Sequence, residues 1–345
     1  MSTRTDTGTY DEALERLHHT GPEFEGWLSN HGPMAVEALA VHGAASQVHA
    51  WVDDYVRRLE PLLRSTDPIV DTQAALGDPR RLADWIAYFT DRVDDQPWTD
   101  LLARWWPVLL PGIAAGATHG VIRVGHATRA LRAEETEPRR IELAHALGYW
   151  AARWHAVPLP SPRGTADAAA LVESVPRVAR QDGGIRERLA QLSGTPGWLA
   201  HAEMLRPPAT DDDVPGRLDA LVDAVVLAYP SIAVGQPTML VHAATAPNAV
   251  ARTLPSLPRA LWRPSFEAAW AATSAVLAAY LPAEPTSDHS GSGSTEADVD
   301  ATWDVAVRDG GEHIVKLADT ALDVHRRTGD PRALAAVSTA VTLQA

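Results

Sequence analysis

The chain has 345 residues, a formal net charge of −14 and no cysteine. The acidic balance, unbroken by any Lys/Arg cluster, argues against a nucleic-acid surface, and the lack of thiols excludes disulfides, thiolate metal sites and a cysteine nucleophile. With 46% hydrophobic and 21% charged residues, the profile is that of a globular protein able to bury a large core. No uninterrupted apolar run reaches the ~18 residues of a membrane span. The opening "MSTRTDTGTYDEALERL" lacks the apolar stretch of a signal peptide, so a cytoplasmic protein is expected, with no membrane partner.

Along the chain the apolar spacing is helical almost throughout. "TYDEALERLHHT" places Thr9 and Glu12 at capping-box spacing and predicts a helix start there, with Tyr10, Leu14 and Leu17 on one face. Next, "SQVHAWVDDYVRRLEPLL" aligns Val48, Trp51, Val52, Tyr55 and Leu59. In "DPRRLADWIAYFTDRV", Asp78 is the expected cap, Pro79 takes the first helical position, and Leu82, Trp85, Ile86 and Phe89 face inward. The stretch 98–133 is long and apolar, and Pro107 and Pro111 are expected to kink or split it. Further helices are expected over 139–157, 216–232, 236–250, 265–281 and 302–328. Sustained alternating strands are absent. The expected fold is therefore all-α, one domain over 1–345 with a dozen or more helices around a buried metal or substrate pocket. The Gly/Ser/Pro/acidic run at 283–298 is expected to be a flexible loop, and the segment after it is too short for a core of its own.

Twelve tryptophans stand against three phenylalanines. Most are expected in the core, although an indole also suits a pocket for flat aromatic ligands.

The 14 histidines divide by context. His18, His19, His49, His155 and His289 lie near polar faces, helix ends or the loop, where exposed or capping roles are expected. His31, directly before a helix with Pro33 in its first turn, lies in another setting. So do His119 and His126 in "GATHGVIRVGHATRAL", His242 in "PTMLVHAATAPNAV" and His313 in "GGEHIVKLADTALDVH", all among small or apolar neighbours. A single such histidine is ordinarily a core residue bonded to a carbonyl. Several in one cysteine-free chain point to a metal site built from nitrogen and oxygen donors. His119 and His126 are seven apart, about 10.5 Å of helix rise, so at most one of them joins a shared ion. Gly120, which allows close backbone approach, favours His119.

The remaining signal is Lys316, the only lysine among the 30 Lys and Arg residues. The scarcity of lysine reads as coding bias, but its retention here suggests chemistry that a guanidinium cannot perform. It lies three residues after His313 and on the same helical face. A buried lysine can lose its proton, and the neutral amine can coordinate a metal or react with carbon dioxide to give a carbamate.

The segments "NHGPMAVEAL", "THGVIRVGHA", "VHAAT" and "EHIVKLA" resemble, in this order, the questin oxidase family of polyketide pathways, across most of the chain. The resemblance implies an all-helical oxygenase that opens an anthraquinone-type ring by oxidative C–C cleavage in a Baeyer–Villiger-like step, with O2 as co-substrate. It further implies one non-haem Fe(II) held by four histidines and a carboxylated lysine. Matched residue by residue, these are His31, His119, His242, His313 and Lys316. Thr245, one turn after His242, would adjoin the metal or the substrate. NADPH is associated with such oxidations, yet no G-x-G-x-x-G follows a strand in this sequence. Two other readings stay open. One is a ferritin-like di-iron protein built on the Glu-x-x-His pairs Glu15/His18 and Glu142/His145. The other is a non-catalytic helical binding protein for an aromatic metabolite.

Overall fold

A computed structural model describes residues 3–284 and 298–344, and side chains from residue 8 onward. Thirteen of the expected loop's positions, 285–297, and with them His289, lie outside the described residues. The fold is all-α. The N-terminal part comprises α1 (Thr3–His18), α2 (Gly32–Val41), α3 (Ala45–Tyr55), α4 (Thr72–Ala75), α5 (Leu82–Asp95), α6 (Trp98–Leu109), α7 (His119–Ala133) and α8 (Glu137–Arg153). Then come the short α9 (Ala168–Leu171), α10 (Ile185–Leu189) and α11 (Trp198–Glu203). The C-terminal part comprises α12 (Val214–Ile232), α13 (Pro237–Thr253), α14 (Trp262–Tyr280), α15 (Val299–Asp309), α16 (Glu312–Thr328) and α17 (Arg332–Gln344). A small hairpin, β1 (Glu23–Phe24) and β2 (Leu28–Ser29), joins α1 to α2.

Three boundaries show the physics at work. The first helix begins by Thr3, so Thr9 is interior and the Thr9/Glu12 spacing does not mark a start. Asp78 does cap: its carboxylate accepts from the Arg80 N–H and opens a single turn that leads into α5. Pro107 is tolerated inside α6, whereas the chain leaves the helix at Leu110–Gly112 and resumes as α7 only at His119.

A single hydrophobic core extends from Tyr10 to Ala340. Eight of the twelve tryptophans are buried in it, so indole serves mainly as core filler, while Trp27 is 63% exposed. By length and composition one stretch, Asp211–Gly235, could cross a membrane, which the sequence reading did not anticipate. Its apolar window is 61% buried inside the fold, and Leu218, Leu221, Val222 and Val225 of α12 are fully enclosed.

Four helices position the site. α2 packs on α7 and α16, and α13 packs on the same two, so α2, α7, α13 and α16 close a ring. The α7–α13 crossing is tight because Gly125 lets the backbones meet. A Cβ at that position would lie 2.5 Å from the Ala249 Cβ and 2.6 Å from its Cα. Residue 120 is equally constrained, with Trp150 of α8 only 2.6 Å from where its Cβ would be.

Gly125→Val should therefore destabilise the protein by about 1–3 kcal/mol through overpacking. Gly216→Ala, in a helical position with nothing within 4 Å of the added carbon, should be neutral or stabilising. Urea unfolding of both variants checks the pair, and equal stabilities would contradict the close crossing.

Candidate metal centre

Each helix of the ring delivers one histidine, three of them at an N-terminus. His31 is the residue that caps α2, His119 is the first residue of α7, and His313 is the second of α16. His242 is the sixth residue of α13. One ligand-type nitrogen from each lies within 4.8 Å of all the others. His31 Nε2 is 2.6 Å from His119 Nε2, which is 3.0 Å from His242 Nε2. The His313 ring stands 4.6 Å from that of His31 and 5.1 Å from that of His242, centroid to centroid.

The backbone around the rings fixes their tautomers. His119 Nδ1 donates to the Gly116 carbonyl at 2.5 Å, and His242 Nδ1 donates to the Met239 carbonyl at 3.2 Å. With Nδ1 carrying the proton, the Nε2 of each is a bare lone pair, and the two lone pairs face each other. Glu312 Oε1 approaches His31 Nδ1 at 3.4 Å, an electrostatic contact outside hydrogen-bond alignment, and is itself held by Arg58 at 2.9 Å. The His31 backbone N–H donates to the Tyr55 hydroxyl at 2.6 Å. His119 is preceded by three residues in the left-handed region, Gly116 (φ 57°), Ala117 (φ 54°) and Thr118 (φ 64°). For Ala117 and Thr118 that conformation is strained, and it returns the Gly116 carbonyl to the imidazole that follows.

Lys316 is fully buried one turn beyond His313, and its Nζ has no hydrogen-bond partner. Burial brings its pKa down to about 7, against an opposing pull from Glu312. Near neutral pH the protonated and neutral forms of the amine are therefore both populated. Burial also holds all four histidines low, His242 at about 3, and the charge of Lys316 pushes each in the same direction. The four imidazoles are therefore neutral nitrogen bases. Up to four imidazoles are the donor set for a borderline divalent metal. The residues fit such an ion.

Beneath the site the same four helices are tied by buried charge. Arg129 of α7 contacts Asp319 of α16 at 2.8 Å and Glu37 of α2 at 2.7 Å. Arg252 of α13 reaches Asp319 and Asp323, each at 2.7 Å. His42 adds a contact to Asp319 at 2.9 Å. His126 belongs here, with its Nδ1 2.8 Å from Glu37, so it is His119 that joins the cluster. All these residues lie C-terminal to the histidine of their helix, so the four helices run in one direction away from the site. The N-terminal dipole ends of α2, α7 and α16 converge on it, which disfavours protonated bases there and favours anions.

Other expected residues fall elsewhere. The Thr245 hydroxyl donates to the Val241 carbonyl at 3.1 Å, a bond within its own helix. Glu15 is exposed, and Glu142 is held by Arg123 at 2.5 and 2.8 Å. His18 is more enclosed than expected, with its Nε2 3.2 Å from Glu142 and its ring 4.7 Å from that of His145. The two Glu-x-x-His pairs do meet through His18, but Arg123 neutralises the buried Glu142 and the other carboxylate, Glu15, is exposed. Sequence reasoning missed Glu312, Tyr55, the Gly116 carbonyl and the Arg129–Asp319 network. Only Glu312, beside His313, had a local signal. Compared with known proteins, the chain matches no family model and no curated protein.

The buried histidines tie stability to pH. Their folded pKa values lie below 6.5, the value for a free imidazole. Between the folded and free values the unfolded chain binds more protons, so stability present above pH 6.5 is lost as the pH falls. The metal-free protein should melt progressively lower from pH 7.5 to 5, and His242→Gln should flatten that slope. A melting temperature independent of pH over this range would contradict neutral buried imidazoles.

Proposed function

We propose that the chain is a metal-dependent oxygenase of the questin oxidase type, holding one non-haem iron and acting on an electron-rich aromatic polyketide such as an anthraquinone. The supporting observation is the convergence of four neutral imidazoles around a buried, unpartnered lysine amine. His31, His119, His242 and His313 would hold the ion, and Lys316 would complete its shell. When bound, the iron supplies activation of dioxygen for oxidative C–C cleavage.

The chain's own residues have distinct tasks. The Gly116 and Met239 carbonyls keep the protons of His119 and His242 on Nδ1 and so present Nε2 inward. The deprotonated Lys316 Nζ can attack carbon dioxide, forming an N–C bond and releasing one proton to give an anionic carbamate. In this reading, a carbamate oxygen takes the proton from a substrate phenol and raises the electron density of the ring. The converging helix N-termini stabilise the negative charge that results.

The test is metal content per chain for wild type and Lys316→Arg, purified without chelator and with bicarbonate, followed by oxygen uptake with a hydroxylated anthraquinone, with and without NADPH. About one iron per wild-type chain, little in the variant, and substrate-dependent oxygen uptake are expected. Equal metal in both proteins would remove the lysine from the site. No metal in either would overturn the oxygenase and favour a binding protein for an aromatic metabolite.

A further inference from the structure

Apart from the buried histidine cluster, the chain carries a cleft that the proposed chemistry does not use. It has a volume of about 140 Å³ and lies between the hairpin, the turn before α7, the end of α8 and α10. Its walls are indole and aliphatic: Trp27, Trp154, Ala114, Ala115, Ile185 and Leu189. Trp27 sits beside the hairpin tip, where Glu25 and Gly26 both take positive φ, and leaves 63% of its surface uncovered. An indole so placed at the rim of a cleft offers a free face for a flat ring.

The charges in the cleft are unequal. Its one carboxylate, Glu23, is already engaged by Arg153 through two hydrogen bonds, one of 2.6 Å. The other two ionisable groups with basic nitrogens, His155 and Arg186, also line it. Arg186 is exposed and makes no ion pair among the described residues. Both line the same cleft; burial, and then the charge of Arg186, depresses the His155 pKa, so the imidazole is neutral and Arg186 carries the charge. The cleft therefore has apolar flat walls and one uncompensated positive corner.

The inner wall connects to the histidine cluster by two covalent routes. The hairpin runs from Trp27 through Ser29, whose Oγ is 2.5 Å from the Tyr149 hydroxyl, directly to His31. Gly116, also in the wall, gives its carbonyl to His119. Tyr149 presses on Gly116 so closely that a Cβ there would lie 2.8 Å from its hydroxyl.

We propose that this cleft is a binding site for a flat aromatic anion, with the ring between Trp27 and Trp154 and the negative group on Arg186 and His155. Such a ligand buries one ring in the cleft, extends any further ring under Trp27, and occupies the side of the fold from which His31 and His119 are supported. Binding needs no metal, so it stands or falls separately from the oxygenase.

The probe is 1-hydroxy-2-naphthoate, titrated into the metal-free full chain by calorimetry and by tryptophan fluorescence, with its uncharged methyl ester as comparator. Saturable binding at one site is expected, with the ester weaker by about tenfold or more, the cost of losing one charge-assisted contact. Arg186→Ala should weaken the naphthoate by a similar factor, and Trp27→Ala by about threefold to tenfold. Both residues are exposed, so the variants should fold, and Val70→Ala, at a 93% exposed position outside the cleft, should bind like wild type. The proposal is overturned by a lack of saturable binding, by naphthoate and ester binding alike, or by wild-type affinity in either cleft variant.

Discussion

Two imidazole nitrogens, with their protons fixed on the far side of each ring, face each other across 3.0 Å in the middle of a hydrophobic core. Bare lone pairs do not attract, and a core does not ordinarily collect bases without a purpose. Much of the surrounding structure is explained by the need to keep these bases together, neutral and correctly turned. The left-handed residues before His119 aim a carbonyl at its Nδ1. The glycines at 120 and 125 let α7 approach its neighbours. The positive ends of α2, α7 and α16 meet at one point, which discourages the bases there from taking up a proton.

The cost of that arrangement is met one to three turns further along the same helices. Asp319, Glu37, Arg129 and Arg252 form a buried ionic network in which each arginine spans two carboxylates. Buried ion pairs contribute little net stability, but removing one partner is expensive, at about 3–5 kcal/mol. Such a network specifies register. It ties the four helices together at the relative height that brings the histidines level. The site and the network are thus two layers of one device, the first chemical and the second mechanical.

The helices were legible in the sequence because their apolar residues recur at helical spacing, and the site was legible because its histidines sit among small and apolar neighbours. Helix rise showed that His119 and His126 cannot both join one ion, and the adjacent Gly120 pointed to His119. What stayed hidden was long-range. Arg129 meets Glu37 and Asp319 across 92 and 190 positions of sequence, and no local pattern announces such partners. The Thr9/Glu12 spacing misled because a capping box is only four residues long and also occurs inside a helix that starts earlier. His18 misled for a similar reason: its neighbours in sequence are polar, whereas its neighbour in space is the buried Glu142.

The central claim is that His31, His119, His242 and His313 bind a single ion together. X-ray absorption at the metal edge of the iron-loaded protein tests this most directly, because imidazole ligands give a recognisable outer-shell signal whatever the activity of the sample. The account predicts one iron site with four imidazoles, and a decrease of one imidazole in His242→Ala. A spectrum of two imidazoles or fewer, or one unchanged by that substitution, would contradict it.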